Sequence, residues 1–236
     1  MASISPWPDT VKAVYVLCHP QKEKSRYDRL IPHLTAAGIP ADRIRVCAPT
    51  WGTDLTVEQI FAAYNPYIDR RTPTLTFKGA NLTRGEISLG MNFAAAMMDS
   101  LKEDGLIMFL ESDVWLRTDF VPRLTGLLAD TADKPWDVIS LGEGVGTRPP
   151  GVSPSYYNPT KGYTPPHNWV FRCTDSMLFT TKYLHKLSKT FLPFREIIDW
   201  EMNYQLMLHN GKALWADPPL AEQGTCNARM LSSLPC

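Results

Sequence analysis

The sequence predicts an α/β fold, and three observations carry that expectation. Residues 106–110 form an unbroken apolar run, Leu-Ile-Met-Phe-Leu, that leads straight into Glu111, Ser112 and Asp113. A run of that kind reads as a strand buried on both faces. Residues 12–18 and 43–48 are two further apolar stretches either side of a helical pattern. That order is a β-α-β unit, for which a right-handed crossover and a parallel strand pair are expected. Finally, Thr83-Arg84-Gly85-Glu86 spells a capping box, which starts a helix just ahead of the apolar run.

The elements follow in order. Residues 12–18 read as the first strand, ending at His19-Pro20. Leu30, Ile31 and Leu34 mark a helix over 26–37 that Gly38 stops and that Pro32 kinks or shortens. The second strand, 43–48, closes on the turn 49–52, a short helix covers 57–64, and 65–78 read as irregular or edge structure. From the Thr83 cap a helix runs to about Glu103, with Ile87, Met91, Ala94, Ala95, Met98 and Leu101 as its apolar face and Asp104-Gly105 as its end. After the central strand come a helix at 120–128 and a strand at 136–141. Residues 142–168 carry six prolines with Tyr156, Tyr157 and Tyr163, a loop long enough to suggest a function, with His167 and Trp169 at its end. A strand at 177–181, a short helix at 182–187, a helix opened by Asp199-Trp200-Glu201 and a last strand at 212–216 complete the order. The tail after Pro218 has no clear period, and no internal repeat is visible.

Composition narrows the function. The 236 residues suffice for one large domain or two small ones, and 44% hydrophobic with 20% charged residues is a globular balance. Lys+Arg and Asp+Glu both number 24, which argues against a broad nucleic-acid surface and against a polybasic membrane anchor. No stretch reaches the length of a transmembrane segment, and residues 11–18 lack the features of a signal peptide. The five cysteines are scattered without zinc spacing, so free thiols and a cytoplasmic location are expected, and the Asn81 sequon reads as chance.

The chemistry concentrates at Glu111 and Asp113. Acids at the C-terminal end of a central strand lie where open α/β sheets bind ligands. Two nearby carboxylates can hold a divalent metal, and the metal a diphosphate. The pattern therefore points to a nucleotide or a nucleotide-activated group. The plain alternative is that the two acids cap the next segment at an exposed strand end. Asp199 and Glu201 form a second acidic pair, and either could be a helix-start residue or a base for an acceptor hydroxyl. Arg84, beside a helix N-terminus, is suited to a phosphate. Asp175 is an acid for which nothing local decides a role.

Several segments resemble a known family. The opening strand with Arg26 and Arg29, Leu82-Thr83-Arg84-Gly85-Glu86-Ile87, Phe109-Leu110-Glu111-Ser112-Asp113-Val114, Asp119-Phe120 and the stretch 136–142 are similar, in that order, to motifs of the lipopolysaccharide glycosyltransferase family (family 25), which has the GT-A fold. Asp199-Trp200 and 219–223 match more loosely. Ser112 stands where that family has a third acid, and Asn92-Phe93 where it has a Ser-His pair.

The resemblance implies a GT-A-like single domain over 1–236, with a mixed, mostly parallel central sheet and helices on both faces. Residues 1–141 would bind the nucleotide sugar and 142–236 the acceptor. It implies a metal-dependent transfer of a hexose from a nucleoside-diphosphate sugar to a hydroxyl of a glycan or other acceptor, with inversion. Asp113 and Glu111 would be the metal residues for Mn²⁺ or Mg²⁺. His19, Arg84, Glu111, Ser112 and Asp113 would contact the donor, with Trp51 and Asp54 near the nucleoside and Gln223 completing the metal shell. Asp199 would be the base, with Glu201 its rival. Two other classes share some of these features. A nucleotidyltransferase normally has a glycine-rich loop after its first strand, and Cys18-His19-Pro20-Gln21-Lys22 has no glycine. A nucleotide- or glycan-binding module without transferase activity is compatible with Ser112.

Overall fold

A computed structural model describes residues 6–69, 82–142, 159–166 and 170–225. Its centre is a seven-stranded sheet. In chain order the strands are β1 (Val11–Leu17), β2 (Ile44–Val46), β3 (Leu106–Glu111), β5 (Val138–Ser140), β6 (Lys161–Tyr163), β7 (Ser176–Thr180) and β8 (Ala213–Asp217), arranged β2-β1-β3-β7-β5-β8-β6. β1 is parallel to β2 and β3, β7 is antiparallel to β3 and β5, β8 is parallel to β5, and β6 is antiparallel to β8. Five strands thus share one direction and β6 and β7 oppose it, the mixed, mostly parallel α/β sheet the sequence led us to expect. A separate ribbon pairs β4 (Val114–Leu116) with β9 (Ala221–Gln223).

Both faces of the sheet are covered. On one, Ala13, Tyr15, Phe109 and Phe179 pack beneath α2 (Val57–Ala63), α3 (Arg84–Ser100), α5 (Thr181–Leu187) and α6 (Ile198–Leu208). On the other, Val14, Val16, Met108 and Leu110 meet α1 (Lys24–Ala36) and α4 (Phe120–Asp130). Each strand feeds both cores, as the alternation of side chains along a strand requires. The β1-α1-β2 unit has the expected parallel pairing.

Local chemistry accounts for the element ends. The Thr83 hydroxyl accepts from the Glu86 N–H at 3.3 Å while Glu86 accepts from the Thr83 N–H at 2.7 Å, so the capping box starts α3 as read from the sequence. Thr56 and Gln59 make a second such box at α2. Pro32 sits inside α1 without ending it, since Leu30 and Leu34 on either side are both buried under the sheet.

The structure corrects several expectations. Met98 is 54% exposed, whereas Phe93 and Met97 are buried, so the apolar face of α3 is rotated from the one expected. Burial follows the 93/97 row that packs on β1, β3 and the aromatic cluster of Phe109, Phe179 and Phe191. The tail after Pro218, which shows no clear period in the sequence, supplies β9. β4 and β6 were not foreseen, since three residues are too few to show a period. Most of the tyrosine- and proline-rich loop, including Tyr156, Tyr157, His167 and Trp169, lies outside the described residues, as does Asn81. No helix among the described residues is long and apolar enough to cross a membrane.

Candidate functional site

β1 and β3 run in parallel and end in register, Leu17 opposite Glu111, so the chain emerges from both strands on one edge of the sheet. A cavity of about 250 Å³ opens there. Its walls come from the ends of β1 and β3, from α1 (Glu23, Arg26), from the turn after β2 (Trp51, Gly52), from the first turns of α3 (Arg84, Ser88, Asn92), and from Gln223 and Thr225 beside β4. The turn after β2 and the start of α3 touch because Gly52 has no side chain. A Cβ there would lie 2.8 Å from the Gly85 nitrogen. Asn92 ties the same two segments, accepting from the Thr50 N–H at 2.9 Å and donating to the Thr50 carbonyl at 3.1 Å. Gly52→Ala should therefore push the turn away from α3. The expected cost is about 1–3 kcal/mol, the range for overpacking, read as a lowered thermal midpoint; an unchanged midpoint would mean that the contact relaxes freely.

The acid-bearing loop, 111–114, is held from two sides. From α1, the Arg26 guanidinium donates to the Ser112 hydroxyl at 2.8 Å, and that hydroxyl donates to Glu23 at 2.7 Å. Arg29 donates to the Ser112 and Val114 carbonyls at 2.9 and 3.1 Å, and its guanidinium lies 4.5 Å from the centre of the Trp115 ring. From the C-terminal side, the Gly224 N–H donates to the Asp113 carbonyl at 2.8 Å and the Thr225 hydroxyl to Asp113 Oδ2 at 2.6 Å. Asp113 Oδ1 is buried on the cavity wall without a hydrogen-bond partner.

Glu111 lies near three other carboxylates. Burial raises Glu111 well above the ordinary carboxylate range, and the negative Asp113, Asp175 and Asp199 raise it further, against the Thr174 hydroxyl that donates to it at 2.6 Å. Asp175 is pushed up to about 7 by burial, with Asp113 adding to the rise. It fits because Gly142 leaves room: a Cβ there would collide with the Asp175 carboxylate. The raised Asp175 has a stability consequence. Its carboxyl keeps a proton in the folded chain up to about pH 7, whereas in the unfolded chain it ionises near pH 4. Folding is therefore least opposed below about pH 4; stability falls as pH rises from about 4 to about 7 and levels off above that. Asp175→Asn removes a penalty of at most about 4 kcal/mol, so its thermal midpoint should gain more over wild type at pH 8 than at pH 5. Equal gains at the two pH values would refute the buried-acid account.

The other residues singled out from the sequence are placed as follows. Arg84 lines the cavity and donates to the Leu55 carbonyl at 3.3 Å. Ser112 and Gln223 line it too, as does Trp51, whose ring meets the His19 imidazole edge-on at 5.9 Å. His19 itself is not on the wall; its Nδ1 accepts from the Gln21 and Lys22 N–H groups, both at 3.3 Å. Asp54 pairs with Lys22 at 2.9 Å, also off the wall. Asp199, in the first turn of α6, accepts from the Trp200 N–H at 2.8 Å and lies close enough to Glu111 to raise it. Burial pushes Asp199 to about 7, with Arg172 and adjacent N–H groups acting the other way. Glu201 is buried and turned inward, accepting from the Arg195 and Glu196 N–H groups and from Gln205. Glu23 and Thr225 complete the site without having been singled out, and Asn92, noted only as a departure from the family's Ser-His pair, stands on the same wall. The only sequence signal for Glu23 was its nearness to Arg26.

Among the described residues, no three His, Cys, Asp or Glu side chains converge as a ready-made cage. Mg²⁺ and similar ions are commonly held by one or two carboxylates plus substrate phosphates rather than by an all-protein cage. The unpartnered Asp113 Oδ1, with Glu111 two residues before it on the same wall, fits that second mode.

No family model matches the chain, and no curated protein matches it. Among solved structures, it is similar to S. aureus TarS 1–349, with a TM-score of 0.50 and 14% sequence identity, over 90% of this chain and 60% of that one. The chain thus spans about 60% of the length of that structure. At this identity the likeness concerns the fold alone. It does not single out the lipopolysaccharide glycosyltransferase family.

Proposed function

We propose that this chain is a metal-dependent glycosyltransferase of GT-A type that moves a hexose from a nucleoside-diphosphate sugar to a hydroxyl acceptor with inversion. One observation carries the reading: a cavity at the C-terminal edge of β1 and β3 whose wall holds the buried, unpartnered Asp113 Oδ1 together with Arg26 and Arg84. That wall suits a diphosphate and its cation. The likeness of fold to TarS, a glycosyltransferase, supports the same class.

In this reading Asp113 would hold Mn²⁺ or Mg²⁺, and Glu111 would contact the ribose or help to hold the ion. When bound, the cation offsets charge growing on the departing nucleoside diphosphate. Arg26 and Arg84 orient the phosphates, and Trp51 borders the nucleoside. Asp199 accepts the proton of the acceptor hydroxyl as the oxygen attacks the anomeric carbon and the bond to the diphosphate breaks. Burial raises its pKa to about 7, which suits a base working near neutral pH. Glu201 positions the start of α6 through its backbone contacts. The test is a thermal-shift screen of nucleoside-diphosphate sugars with and without Mn²⁺, followed by a transfer assay on the sugar that binds. Stabilisation by one such sugar only in the presence of Mn²⁺ is expected; absence of any shift across the set would overturn the reading.

A further inference from the structure

α1 does for β4 what a neighbouring strand would do. One edge of β4 pairs with β9, with Val114 opposite Gln223 and Leu116 opposite Ala221. On the other edge the Val114 carbonyl and the Leu116 N–H point the same way, as they do two residues apart in a strand. Both are taken up by side chains one turn apart on α1. Arg29 donates to the Val114 carbonyl at 3.1 Å, and His33 Nε2 accepts from the Leu116 N–H at 2.8 Å. The Trp115 ring lies against both, 4.5 Å from the Arg29 guanidinium and 5.4 Å from the imidazole. Beyond β9, the Gly224 N–H and the Thr225 hydroxyl close on Asp113. His33 therefore supports, through β4 and β9, the clasp on Asp113.

An imidazole nitrogen accepts only while it carries no proton. The bond to Leu116 thus fixes both the tautomer and the charge of His33: Nε2 is bare and the ring is neutral. His33 stands in the last turn of α1, where a positive charge is ordinarily favoured. Two other forces outweigh that preference. The ring is half-buried, and Arg29 on the same helix opposes a second positive charge, so its pKa is lowered from the usual imidazole value. From β4 it faces the Trp115 ring and the Leu116 N–H, and among the described residues no carboxylate acts on it. We propose that His33 is a positioning residue of the candidate site: its neutral imidazole holds the β4–β9 ribbon closed on Asp113, and acid, by placing a proton on Nε2, loosens that closure. A protonated ring turns the acceptor into a second donor facing the Leu116 N–H, and the outer edge of β4 loses one of its two anchors. The closed form excludes a proton that the open form takes up below about pH 6.5. Closure is therefore fully supported above about pH 6.5 and weakens as pH falls below it.

The experiment follows amide exchange of the full chain, without added ligand, from about pH 7.5 down to about pH 5, with rates corrected for the intrinsic pH dependence of exchange. At about pH 7, nitrogen NMR should find His33 neutral with its proton on Nδ1. Protection of the Leu116 and Gly224 N–H groups should then fall together below about pH 6.5, by up to about tenfold per pH unit, the slope for one proton. His33→Gln places a carbonyl oxygen near the position of Nε2 and accepts at every pH. That variant should keep the protection seen at neutral pH and lose the fall. The buried acids titrate in both proteins and cancel in the comparison. A proton on Nε2 at neutral pH, a flat protection at Leu116, a fall at Leu116 that Gly224 does not share, or the same fall in His33→Gln each overturns the proposal. The wild-type readings decide the matter even if the variant does not fold. None of them involves a nucleotide sugar, so this latch and the proposed activity stand or fall separately.

Discussion

Asp113→Asn is expected to lower donor turnover by about 10²–10³-fold, the scale of losing one group that stabilises charge in a transition state. The substitution keeps the shape of the side chain, and its amide oxygen can still accept from Thr225, which now bonds Oδ2 at 2.6 Å. The fold should survive, since a buried carboxylate oxygen without a partner is replaced by a neutral group. Initial rates across a Mn²⁺ series in the two proteins check this. A mutant within tenfold of wild type, with the same Mn²⁺ response, would remove Asp113 from the metal site.

Asp199→Asn should cut kcat by about 10²–10⁴-fold, the usual contribution of a positioned general base. Its pH signature separates this role from a structural one. With the carboxyl pushed to about 7 by burial, the wild-type kcat should climb as pH rises through neutrality, because only the ionised form accepts a proton. In the variant that climb should vanish at a uniformly low rate. A mutant that is slow but keeps the same rise near pH 7 would place the base elsewhere, with Asp175 the next carboxyl to test, since it is also pushed to about 7.

What the sequence made legible was whatever local pattern encodes. The apolar run of β3 with acids at its end, and the Thr83–Glu86 box that starts α3, are both written in consecutive residues, and both stand where expected. The helix face was harder. Met97 and Met98 are chemically alike, and only packing against the sheet decides that the first is buried and the second exposed. β4 and β9 exist because they pair with each other across the chain, which three-residue segments cannot announce. The site was half visible for the same reason. Glu111, Ser112 and Asp113 sit in one motif, but the partners that hold them, Glu23, Arg29, Thr174 and Thr225, arrive from other elements. Asp175 became conspicuous only when the fold set it beside two other buried acids.

The clasp between Asp113 and Thr225 joins residues 112 positions apart. Anything that grips Asp113 therefore also favours the closed arrangement of β9 on β4, since free energy of binding is shared with every equilibrium that shapes the site. Amide exchange makes this visible. The N–H of Gly224, bonded to the Asp113 carbonyl at 2.8 Å, should exchange more slowly once donor and cation are bound. Occupancy at one end of the sheet would then be recorded as order in the strand that closes over it.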